Sequence, residues 1–276
     1  MVNILVPTDF SDLSKIAAKY AIKIANGIDG TIALLHVISK LKPVTNDMKR
    51  RLKPVEKEVF DDAEEDLAKL ARSFGRSVRF SRPIKTKVAE SEDNFPETIK
   101  REAKKLRSGL IVMGTHGATG LKKVVMGSNT NGVISSSRIP VLAIPEHAEF
   151  KGFRNIVYAS DLRNVEKELK QLMPYVKEFD STVHLIHIVS SGKSVPDTEE
   201  KIERIIEKTG YDNVVVMVLA DLSVEAGIEQ YLNNSKADLL AMFTHDLNFY
   251  EKLFERSITR RMAFHSRIPL LAFKQR

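Results

Sequence analysis

Residues 113–144, "MGTHGATGLKKVVMGSNTNGVISSSRIPVLAI", align without a gap on residues 242–273, "MFTHDLNFYEKLFERSITRRMAFHSRIPLLAF", with twelve of the 32 positions identical. The repeat runs further. "NILVPTDF" (3–10) matches "NIVYASDL" (155–162), setting Asp9 opposite Asp161, and "TIALLHVI" (31–38) matches "TVHLIHIV" (182–189). "LRSGLIVMGTH" (106–116) parallels "SKADLLAMFTH" (235–245). Halves that carry the same apolar runs in the same order are expected to fold as two copies of one domain. A chain of 276 residues gives each copy enough length for its own core. The seam falls near "PEHAEFKGFRN" (145–155), a polar turn with Pro145 and Gly152, so the expected domains are 1–147 and 152–276. The copies differ most where residues 41–75 face a shorter stretch around 191–209.

Within the first copy, "NILVP", "TIALLHVI", "SVRFSRPI", "GLIVMG" and "PVLAIP" are short apolar runs bounded by turns, and are predicted strands. Between them, "SDLSKIAAKYAIKIANG" has helical spacing through Ile16, Tyr20 and Ile24, with Ser11 or Asp12 as N-cap and Gly27 as stop. Residues 55–74 repeat that spacing through Val59, Ala63, Leu67, Leu70 and Phe74. "FPETIKREAKKLRSG" and the stretch after Gly127 supply two more helices. Strands without apolar–polar alternation need both faces covered, which calls for a parallel sheet flanked by helices. The expected fold is therefore α/β: two tandem doubly wound domains, each with a five-stranded parallel sheet in the order 3-2-1-4-5. That order makes strands one and four neighbours, so Asp9 and Gly114–Gly117 border one crevice where the strand order reverses.

The two copies part company at their glycines. Phe243, Asp246, Phe249, Arg256 and Arg261 stand where Gly114, Gly117, Gly120, Gly127 and Gly132 stood. Glycine permits positive φ and lets backbone N–H groups come close to a ligand. Gly127-Ser128 opens a helix whose first N–H groups lack internal partners and carry the positive end of the dipole, a place for phosphate with the Ser128 hydroxyl as an extra donor. The bland alternative is a tight strand-to-helix loop, but a set of glycines at a strand's carboxyl end favours phosphate. His116 would sit inside this loop; Lys122 and Lys123 either complement phosphate charge or are simply solvated. His245 preserves His116 in the copy without glycines, which argues for a structural job. His36 and His187 also match across the copies and read as core-edge histidines. In the second copy, Phe243, Asp246 and Arg256 would crowd the loop. Arg256, Arg260 and Arg261 either bind another anion or form a solvated face.

The segment has neither GxxxxGK[ST] nor GxGxxG. Gly114-x-x-Gly117, nine residues, then Gly127-Ser128 instead matches the G-2x-G-9x-G-[ST] signature, with "VPTDFS" and "ALLHVI" ahead of it. On these motifs nearly the whole chain resembles the ATP-binding universal stress proteins, as a tandem pair of such domains. The resemblance implies an adenine nucleotide in the first copy: ATP, or ADP or AMP in its place, with or without Mg²⁺. Pro7, Thr8 and Asp9 would lie beside the adenosine and Val37 would offer its backbone to the adenine. Met113, Gly114, His116, Gly117, Gly127, Ser128 and Asn129 complete the site. Asp9 has a second reading as a cap before the helix. Asn129 and Thr130 depart from the family, where a small apolar residue often follows the serine. The resemblance also implies pairing through the last strands, "IPVLAIP" (139–145) and "IPLLAF" (268–273), here internally as a pseudo-dimer. Residues 151–276 are expected not to bind ATP in the first copy's manner and to serve assembly, and the chain is expected to form homo-oligomers. The helix near 55–74 either covers a face or meets another chain.

The net charge of +7 sits in one half. Residues 1–150 hold 25 Lys and Arg against 18 Asp and Glu, whereas 151–276 hold 18 of each. No basic stripe interleaved with aromatics supports nucleic-acid binding. No apolar run approaches the ~18 residues of a membrane span, and "MVNILVPTDF" lacks the pattern of a signal peptide. A chain with no cysteine has no disulfides or thiolate metal sites, and a cytoplasmic location is expected. No base, metal-ligand cluster or transferase motif stands out, so no catalytic residue and no protein metal site is assigned, with Asp9 the one weak candidate for Mg²⁺. Three classes remain open: a nucleotide-binding stress or signalling protein, a slow ATP hydrolase, and a nucleotide-free scaffold.

Overall fold

The computed structural model describes residues 2–40, 44–78, 80–91, 94–115, 127–190, 196–207, 210–221, 223–244 and 267–274. Among them the chain divides into two compact units, one ending at Val141 and the other running on from Leu142. The first unit runs β1 (Asn3–Pro7), α1 (Asp12–Gly27), β2 (Thr31–Ser39), α2 (Asn46–Ser77), β3 (Lys85–Ser91), α3 (Phe95–Lys105), β4 (Leu110–Gly114) and α4 (Ser128–Ser136), and the division falls within β5 (Val141–Ile144). Its paired strands are parallel and lie in the order β3-β2-β1-β4. Beside β4, the Ile111 N–H donates to the Pro140 carbonyl at 3.0 Å, just ahead of β5. The second unit continues with β6 (Asn155–Ala159), α5 (Val165–Glu178), β7 (Thr182–Ser190), α6 (Pro196–Glu207), β8 (Val214–Asp221), α7 (Val224–Asn234), β9 (Leu239–Thr244) and β10 (Leu270–Lys274). Its strands are parallel in the order β8-β7-β6-β9-β10, the anticipated 3-2-1-4-5.

Consecutive rather than alternate burial marks the central strands. Ile4, Leu5 and Val6 in β1, and Ile156, Val157 and Tyr158 in β6, are all fully buried. Both sheet faces are therefore covered, and each such aliphatic side chain contributes about 1.5–3 kcal/mol by leaving water. Buried Ala17, Ala18, Ala21 and Ala25 let α1 sit close on β1, β2 and β4. Ser11, not Asp12, is its N-cap: Ser11 Oγ accepts from the Ser14 N–H at 3.2 Å. Beyond its C-terminus the left-handed residue is Asp29 (φ 50°), not Gly27.

Two elements differ from the sequence expectation. The third strand is Lys85–Ser91, not residues 77–84. Helix α2 runs on to Ser77 and takes the front of the expected strand, and Pro83 has no N–H to give a ladder. The observed strand closes the end of the sheet order, with Val88 and Ala89 buried and Lys85 and Lys87 exposed. Charged edges of this kind discourage pairing with other sheets and leave little apolar signal to read. Helix α2 is also longer than expected, 32 residues beginning after Thr45, whose Oγ1 accepts from the Met48 N–H at 3.2 Å. Its counterpart α6 has 12, so the length difference between the halves lies in this helix.

Gly132 has a packing role. An ideal Cβ there would lie 2.6 Å from Pro96 Cγ, because α4 and α3 approach closely at this point. Gly132→Ala is expected to destabilise the first unit by about 1–3 kcal/mol, measured by urea unfolding followed by circular dichroism. An unchanged midpoint would mean that α3 is not held against α4 there. Among the described residues no helix is long and apolar enough to cross a membrane.

Candidate functional site

The crevice begins where β1 ends. The Thr8 N–H still donates to the Leu35 carbonyl at 2.9 Å, and His36 Nδ1 lies 2.8 Å from the Thr8 carbonyl oxygen. A carbonyl only accepts, so the imidazole holds its proton on Nδ1. Buried Thr8 places its Oγ1 2.9 Å from Ser14 Oγ and accepts from the Phe10 N–H at 3.1 Å. These bonds hold Phe10 at φ +64°, a left-handed conformation that costs a non-glycine residue about 1–2 kcal/mol. Asp9, exposed at the apex, accepts from the Ser11 N–H at 3.1 Å and from Ser11 Oγ at 2.5 Å. The carboxylate thus braces the turn while Ser11 caps the helix.

The second unit reproduces this turn. Leu162 has φ +66°, Ser160 Oγ accepts from the Leu162 N–H at 3.1 Å, and His187 Nδ1 lies 2.8 Å from the Ser160 carbonyl. The matched histidines therefore tie the second strand of each unit to the turn after the first.

One cavity, of about 90 Å³, opens between the carboxyl ends of β1 and β4. Of the residues singled out from sequence, Pro7, Thr8, Asp9, Val37, Met113, Gly114 and Asn129 line it. The Leu35 carbonyl faces β1, so the two-residue period of a strand turns the N–H and C=O of Val37 to the same side, past the end of β1. Buried Thr130 binds helix α4 to the end of β4, its hydroxyl donating to the Gly114 carbonyl at 2.8 Å. That bond gives Thr130, one of the two departures from the family pattern, a structural reason. Gly127 is the N-cap of α4, and among the described residues no side chain caps this helix; the Gly127 N–H itself donates to the Thr115 carbonyl at 2.6 Å.

Gly127 and Ser128 stand at the start of α4 but outside the lining, which Asn129 and Thr130 reach instead. His116 and Gly117, with Gly120, Lys122 and Lys123, lie outside the described residues. The anticipated positive φ is not what the described glycines supply. Gly127 has φ −57° and ψ 145°, open to any residue, and Gly114 is the last residue of β4. Left-handed glycines among the described residues are Gly152 and Gly210, far along the chain from the crevice. Sequence reasoning did not assign Ser14, His36, Phe95 and Thr130 to the crevice, yet all four line it. Among the described residues, no group of three or more His, Cys, Asp or Glu could hold a metal ion.

Position Gly114 is the clearest contrast between the units. Its aligned residue Phe243 is buried and stacks on Phe273, with ring centroids 4.2 Å apart and planes at 5°. Tyr158 meets Phe243 edge-on at 5.7 Å. Below the second turn, the Tyr158 hydroxyl hydrogen-bonds Glu168 Oε2 and lies 3.0 Å from Ser160 Oγ. Burial pushes the Glu168 carboxyl up to about 7; the bond from Tyr158 opposes the rise and the charge of Asp161 adds to it.

These observations define a doubly wound parallel α/β protein with a crevice at the strand-order reversal of its first unit. The family model for universal stress proteins matches residues 1–145, and the chain belongs to the universal stress protein family. It is 31% identical over 146 residues to a universal stress protein of Methanocaldococcus jannaschii, covering 51% of this chain and 81% of that one. A universal stress protein of Synechocystis is 23% identical over 296 residues, covering 99% of this chain and 100% of the other. The crystal structure of a universal stress protein from Archaeoglobus fulgidus superposes with a TM-score of 0.62 at 20% identity, over 99% of this chain and 96% of that one, and shares its fold.

Proposed function

We propose that this chain is an adenine-nucleotide-binding stress-response or signalling protein that holds ATP, or ADP or AMP, in a domain spanning residues 1–147. The observation that carries the reading is the set of residues around one cavity: Asp9, Val37, Met113, Gly114 and Asn129, from β2, β4, α4 and the turn after β1. Each suits part of a nucleotide. The Asp9 carboxylate can accept from ribose hydroxyls or the adenine amino group, and the Val37 main chain can pair with the base. Helix α4 begins beside the cavity without a side-chain cap among the described residues, so its first N–H groups suit phosphate oxygens. Dipole and charge contacts contribute about 0.3–1 kcal/mol each in exposed settings, so several must act together to reach the roughly −8 kcal/mol of micromolar binding. The cavity is smaller than the roughly 300–1,000 Å³ of closed ligand sites; it would receive part of a nucleotide, with the rest at its mouth. Mg²⁺, where it accompanies ATP, would ride on the phosphates.

In this reading residues 152–276 form the second of two tandem copies, paired with the first through their last strands. That copy is structural, and the protein works in the cytoplasm. Buried Phe243 in place of Gly114 supports the division of roles. Calorimetric titration of the full chain with ATP is expected to give one nucleotide per chain, and denaturing the purified protein should release adenine nucleotide for mass spectrometry. A stoichiometry of two, or no binding at all, would refute the reading.

A further inference from the structure

Exposed apolar side chains gather on one element. Of the six large hydrophobic residues that stand out in solvent among the described residues, Val44, Met48, Val55 and Val59 are 89, 42, 49 and 45% exposed and lie at or before the first half of α2. With half-buried Leu52 they recur at steps of four, four, three and four, which from Met48 onward draws one stripe along a helix. The four-residue steps carry on from Val59 to Ala63 and Leu67, turning the stripe about the helix until buried Ala63, Leu67 and Phe74 hold the second half of α2 on β2 and β3. The stripe is therefore covered by the sheet in the second half of α2, while Met48, Val55 and Val59 in the first half stand exposed.

Between positions 50 and 66 the charges are unevenly spread. Exposed Arg50, Arg51, Lys53 and Lys57 come first, with exposed Asp47 ahead of them and half-buried Glu56 among them, and exposed Glu58, Asp61, Asp62, Glu64, Glu65 and Asp66 follow. An apolar stripe with cations at one end and carboxylates at the other is complementary to itself run backwards. Parallel pairing would set cation on cation. An anionic membrane surface would attract the first half and repel the stretch from Glu58 onward. Asp62 and Asp66 also stand in line with the exposed part of the stripe and close it after Val59.

We propose that the Met48–Val59 stripe of α2 is a self-association surface, on which two copies of this chain pair antiparallel about a two-fold axis near Leu52 and Val55. In that register Met48 meets Val59 and Leu52 meets Val55 of the other copy, each contact occurring twice, as an isologous interface requires. Arg51 and Glu58 are seven residues apart and share one flank of the stripe, so each Arg51 comes to the other copy's Glu58. Arg51 now bridges Asp47 at 3.0 Å, with both side chains at least 70% exposed. Such a surface pair is worth about 0–1 kcal/mol and does not bar exchange. One helix on one helix lies at the small end of interfaces, below about 1,200 Å², so the dimer is concentration-dependent, with a Kd on the order of micromolar. The surface is independent of the nucleotide site.

Sedimentation velocity of the full chain from about 1 to 200 µM tests this. The wild type is expected to pass from monomer to dimer. Val55→Asp should weaken the dimer at least about tenfold, and Arg51→Glu and Glu58→Arg should each weaken it while far-ultraviolet circular dichroism stays unchanged. An equimolar mixture of the two charge variants should recover wild-type affinity, because each copy then presents the charges the other lacks. A wild type that stays monomeric, variants that dimerise as it does, or a mixture that fails to recover would each overturn the proposal. So would wild-type binding to vesicles of anionic phospholipid that Val55→Asp abolishes.

Discussion

Replacing Gly114 by phenylalanine is expected to weaken ATP binding by at least about 100-fold, or some 3 kcal/mol, with the fold retained. The second unit shows where such a ring goes. Phe243, at the aligned position, is buried against Phe273 and Tyr158 at the carboxyl end of β9, the counterpart of β4. In the first unit the residues matching Tyr158 and Phe273 are Val6 and Ile144, and Gly114 leaves an open cavity instead. A benzyl group added there would fill the space proposed for the nucleotide and bring no charge that could itself attract phosphate. The reciprocal change separates the two roles of the position. Phe243→Ala removes a stacked, buried ring and should cost the second unit about 3–5 kcal/mol without creating a second ATP site. Titration calorimetry reads the first effect and urea unfolding the second. If the Gly114 variant binds ATP like the wild type, the cavity is not the nucleotide's place.

How far the crevice could be read in the sequence depends on which distance brought each residue in. Asp9 and Gly114 are more than 100 positions apart, yet both are strand ends, and the strand-order rule for open α/β sheets is enough to make them neighbours. Val37 enters only through the family resemblance. Ser14, Phe95 and Thr130 enter through helix placement, which periodicity does not specify. Gly132 stands out in sequence only as a glycine that the second copy lost, because its packing partner, Pro96, is on another helix. The left-handed turn at Phe10 carries no glycine to announce it; hydrogen bonds from Thr8 and His36 hold it, and only its recurrence at Leu162 shows that the conformation belongs to the turn. Strand β3 was misplaced because an edge strand that buries two side chains leaves almost no apolar run.

Glu168 is the extreme case of an illegible residue, and raising the pH should expose it. In sequence it is one of two carboxylates in "NVEKELK", the charged opening of a helix. In the fold it is 1% exposed, bonded to Tyr158 through Oε2, while Oε1 has no hydrogen-bond partner. Desolvation disfavours its charged form and lifts the carboxyl from the ordinary 4.5 to about 7. A carboxyl raised in this way binds more protons folded than unfolded between those two values. Its stabilising contribution is therefore complete below the unfolded pKa, declines as pH rises through the folded one, and is absent above it. At about 1.4 kcal/mol per pKa unit the full loss is on the order of 3 kcal/mol. Glu168→Gln keeps an acceptor for Tyr158 but cannot ionise, so its stability should lack this component. Urea unfolding at about pH 5 and pH 8, followed by circular dichroism, should show the wild type falling relative to Glu168→Gln by about 2–3 kcal/mol. Parallel pH profiles for the two proteins would mean that Glu168 is already ionised in the folded state, with water reaching Oε1 past the Tyr158 ring.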